Sequence, residues 1–337
     1  MKFDDHSGLP IITPSDIGFQ GGETYVEGVS AWVKNNKDHI VKMVSRRGGV
    51  IFRHFDFSDH LDFEHMANAL PGKPMQNYRG GAVKRSRLSS NVFNSTELTR
   101  LYQLNIHHEM AYQPHYPDIV CFFCEQPARK GGETTLCDSR EVAKNLGEES
   151  AAVLKEKGIR YVRTFQDRRL FRETIKAVNP VYVHLTWQDA FGTETPDEVE
   201  AWCQKESIGY EWRPNGDLAL ITNLPAFVEH PLTGEICFCN QIHSQHFNRR
   251  NFGSLVYGFR KWKYRSEADM PNQAYLGDGS RIPESVVTEI MDLTDSNTRY
   301  ISWKKGDLLV VDNRVLGHGR RAYSGSRKVR VVMKKGV

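Results

Sequence analysis

Hydrophobic positions recur along this chain mostly in short alternating or continuous runs broken by polar and glycine-rich turns; only a few stretches carry a helical period. Residues 24–44 are one of these, with Val26, Val29, Trp32, Ile40 and Val41 available to one face of an amphipathic helix. Residues 58–69, with Leu61, Phe63 and Met66 among acids and histidines, predict a second, shorter helix. Asp138 followed by Glu141 matches a capping box and predicts a helix running toward 156. Residues 195–206, with Pro196 tolerated near the start, and 283–295 predict two more. Strand patterns are more numerous. They cover 50–55, 87–93, 119–125, 134–137, 158–165, 217–222, 235–240, 307–312 and 327–333. The last of these is dense in β-formers, with Val329, Val331 and Val332.

Residues 1–20 carry no period and predict an irregular N-terminal arm. Residues 138–230 mix helices and strands and read as an insertion within the core. Strands are spread over the whole length without regular alternation with helices, which argues against a doubly wound α/β sheet. Many strands with peripheral helices fit a mainly β (α+β) fold, a double-stranded β-helix of the jelly-roll type. One elaborated domain over 1–337 accommodates all of these elements.

Composition changes this picture little. Hydrophobic residues make up 39% and charged residues 26%, an ordinary globular balance. The net charge of +4 is too small to point to nucleic acid, and no zinc-finger or RNA-binding pattern occurs. Two basic clusters, Lys84-Arg85-Ser86-Arg87 and Arg260-Lys261-Trp262-Lys263, read either as solvated faces or as grips for an anionic substrate, a cofactor phosphate or an acidic carrier. No run approaches the ~18 apolar residues of a membrane span, and the N-terminus lacks a signal-peptide core, so a cytoplasmic protein is expected. Cys121-x-x-Cys124 lies inside an apolar run, which favours buried thiols over a redox or zinc motif. Cys237 and Cys239 alternate on an expected strand and should share a face. No disulfide is expected.

The sharpest chemical signal is Asn105-Ile106-His107-His108-Glu109. On an extended segment His107 and Glu109 point to one side, so an imidazole and a carboxylate can meet one metal, whereas His108 points away. His318, just beyond the apolar run Leu308–Val311, is the best third ligand. Two histidines and a carboxylate form the facial triad of non-haem Fe(II) oxygenases. The same ligand types also suit zinc, and either histidine can equally be a hydrogen-bonded structural residue.

Three blocks carry a family resemblance: NIHHEMAYQPHYPDIVCFFCEQPARKGGETTLCDSR (105–140), TWQDAFGT (186–193) and KKGDLLVVDNRVLGHGRRAYSGSRKVRVVM (304–333), with GGVIFRHFDF (48–57) as an opening strand. In this ordered combination the chain resembles the taurine dioxygenase and clavaminate synthase superfamily of 2-oxoglutarate oxygenases. The resemblance spans about 45–333 and is thinnest between 195 and 300.

It implies Fe(II) on His107, Glu109 and His318, with 2-oxoglutarate and dioxygen as co-substrates. It places the far carboxylate of 2-oxoglutarate on Arg327, with Arg330 as second choice, and on the Thr134 hydroxyl; a guanidinium offers a carboxylate a bidentate fork. It gives Asn240, Arg320 and Arg321 as substrate candidates and 165–200 as a lid candidate. Glu109 in place of a small residue favours hydroxylation or a related oxidation over halogenation, and Glu in place of Asp makes taurine an unexpected substrate. The implied substrate is a free amino acid or small carboxylic acid. The alternative is an acyl or aminoacyl group on an acyl or peptidyl carrier protein. A catalytically silent metal-binding protein and a zinc hydrolase stand as other classes, although His108-Glu109-Met110-Ala111-Tyr112 lacks the final histidine of an HExxH motif.

Overall fold

The longest apolar runs pair with one another. In the computed structural model, strand Leu308–Asp312 lies antiparallel between Gly49–Phe52 and Ile119–Gln126, with Val310 opposite both Val50 and Cys121. Ile119–Gln126 pairs in turn with Lys328–Lys335. These strands are the middle of an eight-stranded major sheet, extended on one side by Pro10–Ile12 and Lys2–Phe3 and on the other by Lys73–Pro74 and Phe93–Asn94. The structure describes residues 2–19, 25–75, 79–81, 85–95, 99–170, 185–264 and 266–337, and every structural statement below concerns these.

Leu308–Asp312 is apolar at nearly every position because both faces of its sheet are covered. Leu308 and Val310 point to one side. There they join Val50, Phe52, Cys121 and Phe123 against the helices Tyr25–Asn35, Lys37–Arg47 and His60–Ala69. Leu309 and Val311 point to the other. There they join Ile51, Val120 and Val331 against Leu136, Ile301 and Leu316 of a second sheet. This minor sheet is antiparallel and runs Thr298–Ile301, Thr134–Asp138, Leu316–Arg320, Leu104–His107. The fold is thus mainly β, two facing sheets with helices outside. Among the described residues the two ladders stay separate, and no strand pairing closes them into a barrel. A further antiparallel sheet, Gly209–Trp212, Leu218–Leu224, Ile159–Phe165 and Asn272–Leu276, occupies much of the region expected to be a mixed insertion. No described helix is long and apolar enough to cross a membrane.

Several elements differ from the pattern-based expectation, each for a local reason. The helix expected over 24–44 is two helices. Asn36 between them leaves helical geometry (φ −113°, ψ 17°) and its side chain donates to the Trp32 carbonyl at 2.8 Å. Asp138 does cap a helix, Ser139–Asn145, by accepting from the Arg140 N–H. That helix stops before Gly147, where Glu289 takes the Gly147 N–H and the Ser150 hydroxyl and starts a new one, Glu148–Lys157. Arg87–Phe93 is not one strand: the Leu88 N–H returns to the Val92 carbonyl in a turn, leaving Arg87 bridged to Phe93. Only Ile236–Cys237 of 235–240 is strand, yet Cys237 and Cys239 both reach the inter-sheet core. All six cysteines are buried free thiols.

The N-terminal segment is not an irregular arm. Pro10–Ile12 adds to the major sheet parallel to Gly49–Phe52, a pairing too short to show as periodicity. Arg53 fastens this segment. Its guanidinium makes a bidentate pair with Asp307 (3.0 and 2.9 Å) and donates to Asp4 at 2.9 Å, all three buried. Asp307→Ala would leave the guanidinium buried beside a single carboxylate. It is expected to cost about 3–5 kcal/mol, measured as a lower midpoint in urea unfolding.

Candidate metal and co-substrate site

The minor sheet positions the site. His318 lies directly opposite His107 on the neighbouring strand, a pairing that brings together residues far apart in sequence. Their ring centroids are 4.6 Å apart. His318 is flanked by glycines because its strand is crowded from both sides. A Cβ on Gly319 would stand 2.5 Å from the Leu104 carbonyl oxygen and 2.7 Å from the Thr135 hydroxyl. Glycine is a poor strand former, which hid this strand from the pattern. Phe122 of the major sheet packs edge-on against the His318 ring at 5.0 Å and fixes its plane.

His107, Glu109 and His318 each offer one ligand atom, and these atoms all lie within 4.8 Å of one another. The electrostatics suit a divalent cation. His107 Nδ1 stands 2.9 Å from the Asn105 carbonyl, which only accepts, so Nδ1 carries the proton and Nε2 keeps its lone pair. Burial, with help from nearby His318, lowers the His107 pKa to about 4, so the ring is neutral at neutral pH. Burial alone would raise the Glu109 carboxyl. The Arg85 guanidinium and the histidines outweigh it and hold the group well below the usual carboxylate range. Glu109 is therefore an anion beside the neutral His107 ring, and with His318 the three make the two-histidine, one-carboxylate donor set that Fe(II) takes.

His108 turns away from this cluster. Its Nδ1 sits 2.6 Å from the Asn313 carbonyl, its ring is buried, and desolvation drops its pKa to about 3. Asn313 is the hub of this region. Its side chain accepts from the Glu109 N–H at 2.7 Å and donates to the carbonyls of Glu109 (3.0 Å) and Pro117 (2.9 Å). The loop carrying Glu109 is thereby tied to the turn that leads into the His318 strand. Asn313→Ala is expected to cost about 2–4 kcal/mol because it leaves buried backbone groups unmatched. Thermal melting would show that loss. Metal affinity should fall with it, by about 10- to 100-fold, as for other residues that support ligands from behind.

One cleft contains His107, His318, Thr134, Arg320, Arg327 and, from the first basic cluster, Arg85. Arg85 Nη2 lies 2.7 Å from Glu109 Oε2, with both side chains buried. At the other end Arg327 passes over Gly132, whose φ of 76° and lack of a Cβ leave room for the Arg327 stem. Arg327 Nε donates to the Gly132 carbonyl at 2.9 Å, and the side chain lines the cleft. Burial and the neighbouring Arg320 pull its pKa down to about 10, so it remains a cation in an environment that penalises one. Thr134 Oγ1 accepts from Trp303 Nε1 at 2.9 Å. Indole nitrogen only donates, so the Thr134 hydroxyl proton is left to point elsewhere. A guanidinium and a hydroxyl donor set beside each other fit a carboxylate.

Three expected site residues lie outside this cleft. Arg330 alternates with Val329 along the strand Lys328–Lys335 and faces away from the cleft; it is held by Glu125 at 2.7 and 2.6 Å and by Asn94. Asn240 is buried, but its amide donates to the Ala226 carbonyl (3.0 Å) and accepts from the Ile242 N–H (3.0 Å) in the turn before a short helix. Arg321 is exposed and stacks over Tyr300. Arg320 does line the cleft, donating to the carbonyls of Thr99 and Tyr102 at 3.1 and 2.9 Å. Of the lid candidate, residues 171–184 lie outside the described residues, and the helix Trp187–Phe191 packs into a separate cluster with Val199 and Leu218.

The model of the taurine catabolism dioxygenase TauD, TfdA family matches residues 16–333 of this chain. The chain belongs to that family. It is 30% identical over 296 residues to the dapdiamide synthesis protein DdaC of Enterobacter agglomerans, covering 87% of this chain and 84% of that one. It is 25% identical over 302 residues to a clavaminate synthase-like protein of Arabidopsis thaliana, covering 88% and 84%. A taurine dioxygenase structure from Burkholderia xenovorans shares the fold at a TM-score of 0.51 with 13% identity, over 100% of this chain and 89% of that one. As a TauD/TfdA protein the chain is a non-haem Fe(II)- and 2-oxoglutarate-dependent dioxygenase, and the His-Glu-His cluster fits its metal.

Proposed function

We propose that this TauD/TfdA dioxygenase hydroxylates an unactivated C–H bond of a free amino acid or small carboxylic acid, on a double-stranded β-helix scaffold. His107, Glu109 and His318 hold the iron; Arg327 and Thr134 hold the far carboxylate of 2-oxoglutarate. When bound, iron, 2-oxoglutarate and dioxygen supply the oxidising power, with succinate and carbon dioxide released. The chain's own residues do the positioning. Asn105 keeps His107 in the tautomer that presents Nε2. Trp303 turns the Thr134 hydroxyl into a donor. Phe122, Leu104 and Val329 line the cleft with apolar surface that excludes water.

The observation that favours an acidic substrate is Arg85. It places a buried guanidinium against the metal ligand Glu109, in the same cleft as Arg327. A substrate carboxylate bound there would hold its neighbouring carbons next to the metal. The match to a dapdiamide synthesis protein supports a biosynthetic role. It keeps a second reading, the same chemistry on a carrier-tethered acyl group, which the outward-facing Leu255 and Trp262 beside Lys261 also favour.

The test begins with anaerobic addition of 2-oxoglutarate to the Fe(II)-loaded protein, which should give a metal-to-keto-acid charge-transfer band. Succinate release is then followed with free L-amino acids, short carboxylic acids and their amides. Iron bound without a band would sink the co-substrate assignment. Turnover of amides as fast as acids would sink the carboxylate reading.

A further inference from the structure

We propose that an open basic groove behind Arg327 is an anion-capture port, through which the dicarboxylate co-substrate reaches its site. This rests on the 2-oxoglutarate reading of the cleft. The cleft and the groove are contiguous and share Ser95, Arg320, Arg327 and Val329 as walls. The cleft itself has only about 30 Å³ of room, the groove about 570 Å³. The smaller space takes no more than one or two waters, so the room next to Arg327 lies on the groove side. Arg327 thus borders both spaces, the one that holds His107 and His318 and the open groove.

The groove is also strongly cationic. Arg100, Lys328 and Arg330 line it together with Arg320 and Arg327. Two acids answer these five cations among the described residues: Glu125, paired with Arg330 at 2.6 Å and with Lys328 at 3.6 Å, and Glu133, whose charge acts on Arg327. Arg100 is exposed and the Lys328 side chain is 51% accessible, so both stand at the mouth, whereas Arg320 is buried at the inner end. Exposed cations outside and buried cations inside grade the positive potential inward. A concave, low-dielectric wall focuses such a field and raises the capture rate of an anion. A surface carrying the same charges only for solubility has no need of a concave path ending on a buried arginine.

The experiment is stopped-flow mixing of Fe(II)-loaded protein with 2-oxoglutarate without oxygen, reading the charge-transfer band across a salt series. The variants are Arg100→Glu/Lys328→Glu and the neutral Arg100→Gln/Lys328→Gln. Charge reversal is expected to slow association about 10-fold or more at low ionic strength, with the neutral pair in between. The difference should shrink toward 1 M salt, where the Debye length falls to about 3 Å, and the dissociation rate should change far less. Equal association rates for wild type and both variants at low salt, with the band intact, would overturn the port. The absence of a band in the wild type would instead overturn the co-substrate assignment itself.

Discussion

Replacing His107 with alanine is expected to abolish Fe(II) binding and lower turnover by about 10³-fold or more, the rate equivalent of losing several kcal/mol of metal assistance. Only His318 and Glu109 would remain, in a site where Arg85 already competes for the carboxylate. The adjacent His108 provides the control. It is buried behind the site on the Asn313 carbonyl, so His108→Ala should lower the melting temperature while the protein that stays folded still binds iron. Equilibrium metal binding and thermal melting on the two variants separate a ligand from a structural histidine. Iron bound normally by His107→Ala would remove that residue from the metal set. Loss of iron in both variants, with the fold of His108→Ala intact, would mean that the pair acts as one.

Much of this site is legible in the sequence because strands have a period of two. Read as extended chain, 107–109 has His107 and Glu109 on one side and His108 on the other; the strand itself ends at His107, and Glu109 reaches the cluster from the turn that follows. The same rule, counted from Val329, which lines the cleft, puts Arg330 on the opposite side of its strand, whereas the family pattern alone leaves Arg327 and Arg330 both open. What the sequence does not show are polar partners that meet only in space. Asn313 reads as a turn residue after a strand, and its hydrogen bonds run to Glu109 and Pro117, some two hundred residues away. Trp303 behind Thr134 and Arg85 on Glu109 are hidden in the same way. Arg85 does belong to a basic cluster, but charge clustering carries no information about which member turns inward. In the fold, runs apolar on both faces are plain from the residues. The glycine-flanked His318 strand and the split helices at Asn36 and Gly147 are not, because each is set by a contact from elsewhere in the chain or by a side chain competing with its own backbone.

Arg327→Ala is expected to raise the Kd for 2-oxoglutarate by about 30-fold to 5 × 10³-fold, since removing one partner of a desolvated, hydrogen-bonded charge pair costs about 2–5 kcal/mol. Fe(II) affinity without co-substrate should be unchanged, because Arg327 is not among the metal donors. Stability should move the other way from affinity. In the ligand-free chain Arg327 is a cation whose pKa burial and Arg320 pull down to about 10, and its hydrogen bond to Gly132 engages only Nε. A charge kept at that cost opposes folding until an anion arrives. The alanine variant should therefore melt no lower than wild type without ligand, and lose most of the rise in melting temperature that 2-oxoglutarate gives the wild type. Arg327→Lys keeps the charge but not the bidentate fork, and should fall between the two. If the alanine variant instead melts well below wild type while binding 2-oxoglutarate equally well, Arg327 is a structural arginine and the carboxylate is held elsewhere. Arg320 and Thr134, which share the cleft, would then be the residues to test.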